Sequence, residues 1–224
     1  KTIDNDICET DVTFGYDSAI TTAVESLDKL HTTAESHHRA MVVEVMGRNA
    51  GWIALEAGIS GDADVILIPE IPFNMEKVCD KIYDRVERGS MYSIVVVAEG
   101  AAPQGGKKVF KTMDNNSESK ILGGIGNSVG REIHERTGID TRITVLGHIQ
   151  RGGSPTPFDR LLGSRFGVHT LHLIARGKFG RMVALKGRYI ESVPIEKAVR
   201  RTKLVDPDDQ MVKSAESIGI CFGR

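Results

Sequence analysis

Hydrophobic positions along this chain fall into two alternating patterns. The first is a short, nearly unbroken apolar run: residues 41–46 (MVVEVM), 65–69 (VILIP), 93–98 (SIVVVA), 143–146 (ITVL) and 182–185 (MVAL). Runs this rich in Val and Ile predict strands covered on both faces, as in a parallel sheet. The second pattern is a longer stretch with apolar residues every three or four positions. Residues 17–30 put Ile20, Ala23, Val24 and Leu27 on one stripe, and residues 74–88, 123–137 and 158–176 repeat the pattern. Asn74 is the predicted N-cap of the second helix, Gly138 stops the third, and Gly177 stands just beyond the longest. Strand and helix in this rhythm predict an α/β fold, a doubly wound three-layer parallel-sheet domain. Residues 100–119, rich in Gly, Lys, Asn and Ser, read as a solvated loop.

In sheets of this kind, ligands gather at the loops leaving the C-terminal ends of the strands. Those loops are Met46-Gly47-Arg48, Glu99-Gly100 and residues 147–155 (GHIQRGGSP). A glycine beside an Arg or Glu lets a ligand approach the backbone while the side chain bonds to it. Three such loops at successive strand ends define a site.

Composition narrows what the site handles. The formal net charge of -1 excludes a strong general attraction to nucleic acid, so an anion site must be a local cluster of Arg, Lys and His. The three scattered cysteines, Cys8, Cys79 and Cys221, form no CxxC pair. That excludes a zinc knuckle or a redox dithiol, and their odd number argues against a disulfide framework. A cytoplasmic protein is expected. No apolar run approaches the roughly 18 to 20 residues of a membrane span, so neither membrane nor nucleic acid is an expected partner.

Thr2-Ile3-Asp4-Asn5-Asp6 supplies two carboxylates two residues apart. In an extended segment they would lie on the same side, about 7 Å apart along the chain. That arrangement suits a base beside a ligand of a hydrated divalent cation; it equally suits an Asx-turn with surface carboxylates. Arg39, Arg142, His148 and Arg151 offer donors for a phosphate dianion. Taken singly, each is as well read as a solvated, salt-bridged or structural residue, and charge pattern alone does not bring the four together.

The strings TIDND, VEVMGRNAGW and TVLGHIQRGGSP, in this order and at these separations, resemble the phosphofructokinase family, and the resemblance covers essentially the whole chain. The resemblance implies phosphorylation of fructose 6-phosphate at its 1-hydroxyl to fructose 1,6-bisphosphate in glycolysis, with Mg2+. Asp4 matches the base that deprotonates that hydroxyl. Thr2 matches a neighbour of the transferred phosphoryl group, and Asp6 a residue near the magnesium. Met46, Gly47 and Arg48 match the sugar-contacting loop, whose arginine also stabilises charge during transfer, and Glu99 matches a ligand of a sugar hydroxyl. His148 and Arg151 match ligands of the 6-phosphate. Arg39 and Arg142 match arginines that enter the site from a neighbouring subunit, which implies a homo-oligomer with a shared substrate site.

The resemblance also sets expectations for organisation and donor. Residues 16–149 match the fructose-6-phosphate-binding domain. Residues 1–15 and 150–224 match parts of a second, similar phosphoryl-donor domain and a C-terminal segment. The family's glycine-rich donor loop lies upstream of TIDND and is absent from these 224 residues, so this segment alone is expected to be inactive. Lys1 directly precedes TIDND, where pyrophosphate-using relatives typically carry lysine and many nucleotide-using ones glycine; pyrophosphate is therefore expected slightly ahead of ATP, with Lys1 at the leaving phosphate. Where allosteric bacterial members carry a basic effector cluster, this chain reads Arg88-Gly89-Ser90, so effector control of that kind is not expected. A catalytically silent sugar-phosphate-binding subunit is the rival reading, although it need not keep Asp4, Asp6 and Arg48 together. A lipid or NAD kinase on a related scaffold would not need the GHIQRGG segment.

Overall fold

The computed structural model describes residues 2–106, 110–111 and 121–224. Lys1 and much of the 100–119 stretch lie outside the described residues. In chain order the elements are α1 (Tyr16–His37), β1 (Ala40–Val45), α2 (Trp52–Ser60), β2 (Val65–Leu67), α3 (Met75–Glu87), β3 (Ser93–Ala98), β4 (Phe110–Lys111), β5 (Ile121–Leu122), α4 (Ile125–Thr137) and β6 (Thr141–Val145). A 3-10 turn (Gly147–Arg151) follows, then α5 (Pro157–Ala175), β7 (Arg181–Lys186), β8 (Tyr189–Pro194), α6 (Ile195–Ala198) and α7 (Gln210–Ser217).

The central sheet has the order β2-β3-β1-β6, and every pairing in it is parallel. Alternate residues of each strand face opposite layers, and both faces are apolar. Met41, Val43, Val45, Ile94 and Val96 join the core with α1 and α2, whereas Ala40, Val42, Val95 and Val97 pack against α3 and α4. This is the three-layer parallel arrangement the Val/Ile runs predicted. From β1 the chain turns one way across the sheet to β2, and from β3 it passes over β1 to β6. The ends of β3, β1 and β6 therefore frame the crevice where such folds bind ligands.

Helix α1 is longer than its predicted core of residues 17–30, because its second half still buries Ala34 and bonds His31 Nε2 to Gly61 O at 2.8 Å. Its first turn is satisfied from far away in sequence: the buried carboxylate of Asp159 accepts from the N–H groups of Gly15 (2.6 Å) and Ser18 (2.8 Å). Asn74 caps α3 as predicted, its side chain accepting from Glu76 N–H at 2.8 Å.

The sequence reading is corrected at two points. The run 182–185 does not join the parallel sheet; it lies in β7, which pairs antiparallel with β8 in a separate two-stranded sheet. Gly187, with φ +57, makes the tight turn between them. The segment 2–6 is not extended either. Asn5 has φ +54 between the two aspartates, a left-handed conformation that Asn tolerates, and its Oδ1 accepts from Thr13 N–H at 3.1 Å.

Candidate active site

Three adjacent strands deliver the site's loops. β1 runs into Met46-Gly47-Arg48, β3 into Glu99-Gly100, and β6 through Leu146 into the turn that carries His148 and Arg151. The loops are bonded to one another. Glu99 N–H donates to Val45 O (2.9 Å), Gly100 N–H to Gly47 O (3.1 Å) and Leu146 N–H to Glu44 O (3.0 Å). Met46 N–H donates to the side chain of Gln150 (2.8 Å). Gly100 is required by this closeness, because a Cβ there would stand 2.1 Å from Arg48 O.

The segment 2–6 comes against these strand ends. Asp4 N–H donates to Thr2 Oγ1 at 2.9 Å, which fixes the bend before Asn5. Burial above all, and then the Asp6 carboxylate, push the Asp4 pKa up, while Arg151 opposes them. Burial likewise raises Glu99, with Asp4 the next cause; the Gly47 N–H and Arg151 work the other way. Asp4, Asp6, Glu99 and Arg151, drawn from three separate stretches of sequence, thus share one electrostatic neighbourhood. Asp4 Oδ1 is buried and has no hydrogen-bond partner among the described residues. A buried oxygen of this kind calls for a hydrogen-bond or metal partner beyond the described residues. Segments 2–6 and 147–155 also share a cavity of about 380 Å³, to which Ile3, Gln150, Arg151 and Gly153 contribute.

Two contributors were not anticipated from sequence. Glu44 is 3% exposed within β1, and its carboxylate accepts from Gly126 N–H (2.8 Å) and Gly124 N–H (3.1 Å), holding the start of α4. A lone charge inside an apolar strand run was the available signal. Gln150, which joins the β1 loop to the β6 turn, had no such signal.

Arg39 and Arg142 are not brought to this cluster within the chain. Arg39 directly precedes β1, and Arg142 pairs in register with Met41, so both sit at the N-terminal edge of the sheet. Arg39 and Met46 are separated by the length of a strand, about 20 Å at the usual rise. Both arginines instead bind Asp140, Arg39 through Nε at 2.6 Å and Arg142 through Nη1.

No group of three or more His, Cys, Asp and Glu side chains is arranged to hold a metal among the described residues. Magnesium does not need one: it is commonly held by one or two carboxylates together with water and substrate phosphates. Asp6 beside the orphaned Asp4 Oδ1 is a donor set of that kind.

The chain is 52% identical over 223 residues to an ATP-dependent 6-phosphofructokinase of Chloroflexus aggregans, covering 100% of this chain and 61% of that protein. It is 51% identical over 224 residues to a pyrophosphate--fructose 6-phosphate 1-phosphotransferase of Streptomyces coelicolor, covering 100% of this chain and 64% of that protein. The chain thus spans somewhat more than three-fifths of the length of these relatives. Among solved structures it resembles a phosphofructokinase from Saccharomyces cerevisiae, with TM-score 0.76 and 33% identity over 89% of this chain and 26% of that one. It also shares the fold of a pyrophosphate-dependent phosphofructokinase from Marinobacter aquaeolei, with TM-score 0.79 and 23% identity over 99% of this chain and 59% of that one. Since the family model for phosphofructokinase also matches residues 1–174, the chain belongs to the phosphofructokinase family.

Proposed function

We propose that the protein containing this chain phosphorylates fructose 6-phosphate on its 1-hydroxyl, giving fructose 1,6-bisphosphate as a cytoplasmic enzyme of glycolysis. The observation that carries this reading is Asp4: a half-buried carboxylate with a raised pKa, its buried Oδ1 without a partner among the described residues, in the electrostatic neighbourhood of Glu99 and Arg151 at the C-terminal ends of the strands. As base, Asp4 takes the proton of the 1-hydroxyl. That oxygen then bonds to the donor's terminal phosphorus as the bond to the leaving phosphate or nucleotide breaks. Met46, Gly47 and Glu99 hold the sugar, and His148 and Arg151 hold its 6-phosphate. Thr2 and Arg48 face the transferring group, where the guanidinium opposes the developing negative charge. Asp6 would hold Mg2+, which when bound neutralises donor phosphate charge.

Arg39 and Arg142 complete the 6-phosphate pocket of a neighbouring subunit in a homo-oligomer. This is supported by their position at the sheet edge remote from Asp4 in their own chain. In this reading residues 16–149 form the sugar-phosphate domain, and residues 1–15 and 150–224 belong to the donor domain and the C-terminal segment. For the donor, Lys1 favours pyrophosphate over ATP, and relatives of nearly equal identity bear each name.

The test is Asp4→Asn in the full-length enzyme. Removing a general base lowers kcat by about 10² to 10⁴, while fructose 6-phosphate still binds in isothermal titration. A variant with wild-type kcat would overturn the assignment.

A further inference from the structure

Lys203 lies between α6 and α7, far in sequence from every motif considered so far, yet it holds two of them at once. Its backbone N–H donates to Asp6 O at 2.9 Å, next to an antiparallel bridge between Ile7 and Thr202. Its carbonyl accepts from Trp52 Nε1 at 2.8 Å. Its ammonium donates to Asp11 O (2.6 Å) and Thr10 O (3.2 Å), and stands 5.2 Å from the centre of the Trp52 ring. Trp52 opens α2, the helix entered directly from the Arg48 loop, and Tyr16 OH donates to the Trp52 carbonyl at 3.1 Å. The backbone of Lys203 thus joins Asp6 to Trp52, at the start of the helix entered from the Arg48 loop, and its ammonium ties Thr10 and Asp11, a few residues beyond Asp6, to the Trp52 ring. Burial lowers the pKa of its ammonium, the mark of a cation drawn out of water to make these contacts.

We propose that Lys203 is a positioning residue that sets where Asp4 and Asp6 stand relative to the Arg48 loop. It thereby acts on phosphoryl transfer rather than on sugar-phosphate binding. The inference rests on the function proposed above. Glu99, His148 and Arg151 are carried by β3 and by the turn after β6, to which Lys203 forms no hydrogen bond among the described residues, so its loss leaves these three side chains in place. In-line transfer is far more sensitive than binding to small displacements: a misplacement of about 1 Å costs about a hundredfold in rate.

The experiment compares Lys203→Met and Lys203→Arg with the wild type in the full-length enzyme. Methionine keeps an apolar stem and the backbone bonds to Asp6 O and Trp52 Nε1, but loses the ammonium's bonds to Thr10 O and Asp11 O and its charge beside the Trp52 ring. Arginine keeps donors and charge, and the adjoining cavity of about 380 Å³, lined by Asn5, Tyr16, Trp52 and Glu56, gives it room. Lys203→Met should lower kcat about ten- to a hundredfold with KM for fructose 6-phosphate within about twofold of wild type, and Lys203→Arg should recover most of the loss. Trp52, the single tryptophan of these residues, should change its emission in Lys203→Met, the signal being assigned by a Trp52→Phe control. A wild-type kcat in Lys203→Met would overturn the proposal. So would equal losses in kcat and in fructose 6-phosphate binding accompanied by a lowered Tm, or a Lys203→Arg variant no better than the methionine one. If the wild type itself transferred no phosphoryl group to fructose 6-phosphate from either donor, the functional reading would fall and the positioning role with it, while the Trp52 emission change would still report the contact.

Discussion

Met46 N–H donates to Gln150 Oε1 at 2.8 Å, and this bond joins the loop after β1 to the turn after β6. Gln150 is 2% exposed, so the bond is shielded from water. Gln150→Met would keep the volume but leave the Met46 N–H buried and unpaired, which costs about 1–3 kcal/mol. Because the two loops would then be tied less firmly, and in the proposed function they hold the sugar and its 6-phosphate, KM for fructose 6-phosphate should rise about fivefold, equivalent to roughly 1 kcal/mol of binding. Denaturant unfolding and steady-state kinetics read the two effects; unchanged KM would mean that the loops hold their spacing without Gln150.

A second prediction concerns stability away from the site. Asp64, 8% exposed, pairs with Arg85 Nη1 at 2.6 Å and accepts from Ile94 N–H at 2.8 Å. Burial nevertheless raises its pKa above the ordinary value, outweighing the lowering by Ile94 and Arg85. The folded protein therefore keeps a proton on Asp64 at higher pH than the unfolded chain does. The site favours folding below the unfolded aspartate's pKa, and that contribution is lost as pH rises through the folded value. Arg85→Gln removes a charge that lowers the folded pKa, so it raises it further. The variant's deficit should reach about 3 kcal/mol at neutral pH, the low end for breaking a buried pair, since Arg85 keeps part of its side chain in water. The deficit should shrink as the pH is lowered from neutral toward the ordinary aspartate range in urea unfolding of variant and wild type; one that grew on acidification would reverse the assigned sign.

Legibility followed the physics of each element. The runs 41–46 and 93–98 were readable because a strand covered on both faces must be apolar throughout, and both are buried in every residue of their strands, Ala40–Val45 and Ser93–Ala98. Residues 182–185 carried the same local signal, yet β7 is a hairpin strand that is fully buried only at Ala184 and Leu185; four apolar residues do not distinguish the cases, and the Gly187 turn was the missed clue. Helix α2 escaped because it is apolar on nearly every side, burying Ile53, Ala54, Leu55, Ala57 and Gly58, which leaves no stripe to read. In the site, Asp4, Glu99 and Arg151 could be named from motifs, but the bend at Asn5 depends on Thr13, and the links made by Gln150 and Lys203 reach across 104 to 193 residues. No local pattern encodes a partner that distant.

The proposed preference for pyrophosphate rests on Lys1. If its ammonium neutralises the leaving phosphate of pyrophosphate, Lys1→Gly should lower pyrophosphate-dependent turnover by about one to two decades, the worth of a charge-assisted contact of roughly 1.5–3 kcal/mol made in the transition state. Fructose 6-phosphate binding should stay as it was. Measuring kcat/KM with pyrophosphate and with ATP decides it: small, equal losses with both would remove the support for pyrophosphate.

The placement of Arg39 and Arg142 gives the sharpest test of the assembly. Both bind Asp140 at the sheet edge remote from Asp4, so one chain's arginines do not reach its own Asp4, Glu99 and Arg151. If they serve a neighbour, Arg142→Ala raises KM for fructose 6-phosphate and Asp4→Ser lowers kcat, each crippling every site in its own homo-oligomer. In a two-fold symmetric pair that combines one chain of each kind, one site receives both lesions and the other receives neither. Random mixing at equal amounts makes half of the pairs hybrid, so about a quarter of all sites should regain full function. Activity at subsaturating fructose 6-phosphate should therefore rise well above that of either parent once the two proteins are unfolded together and refolded. Were hybrids demonstrably formed, by mass spectrometry for example, without any gain, the shared site would be excluded, and Arg39 and Arg142 would be left as the salt-bridged partners of Asp140 that they are within the single chain.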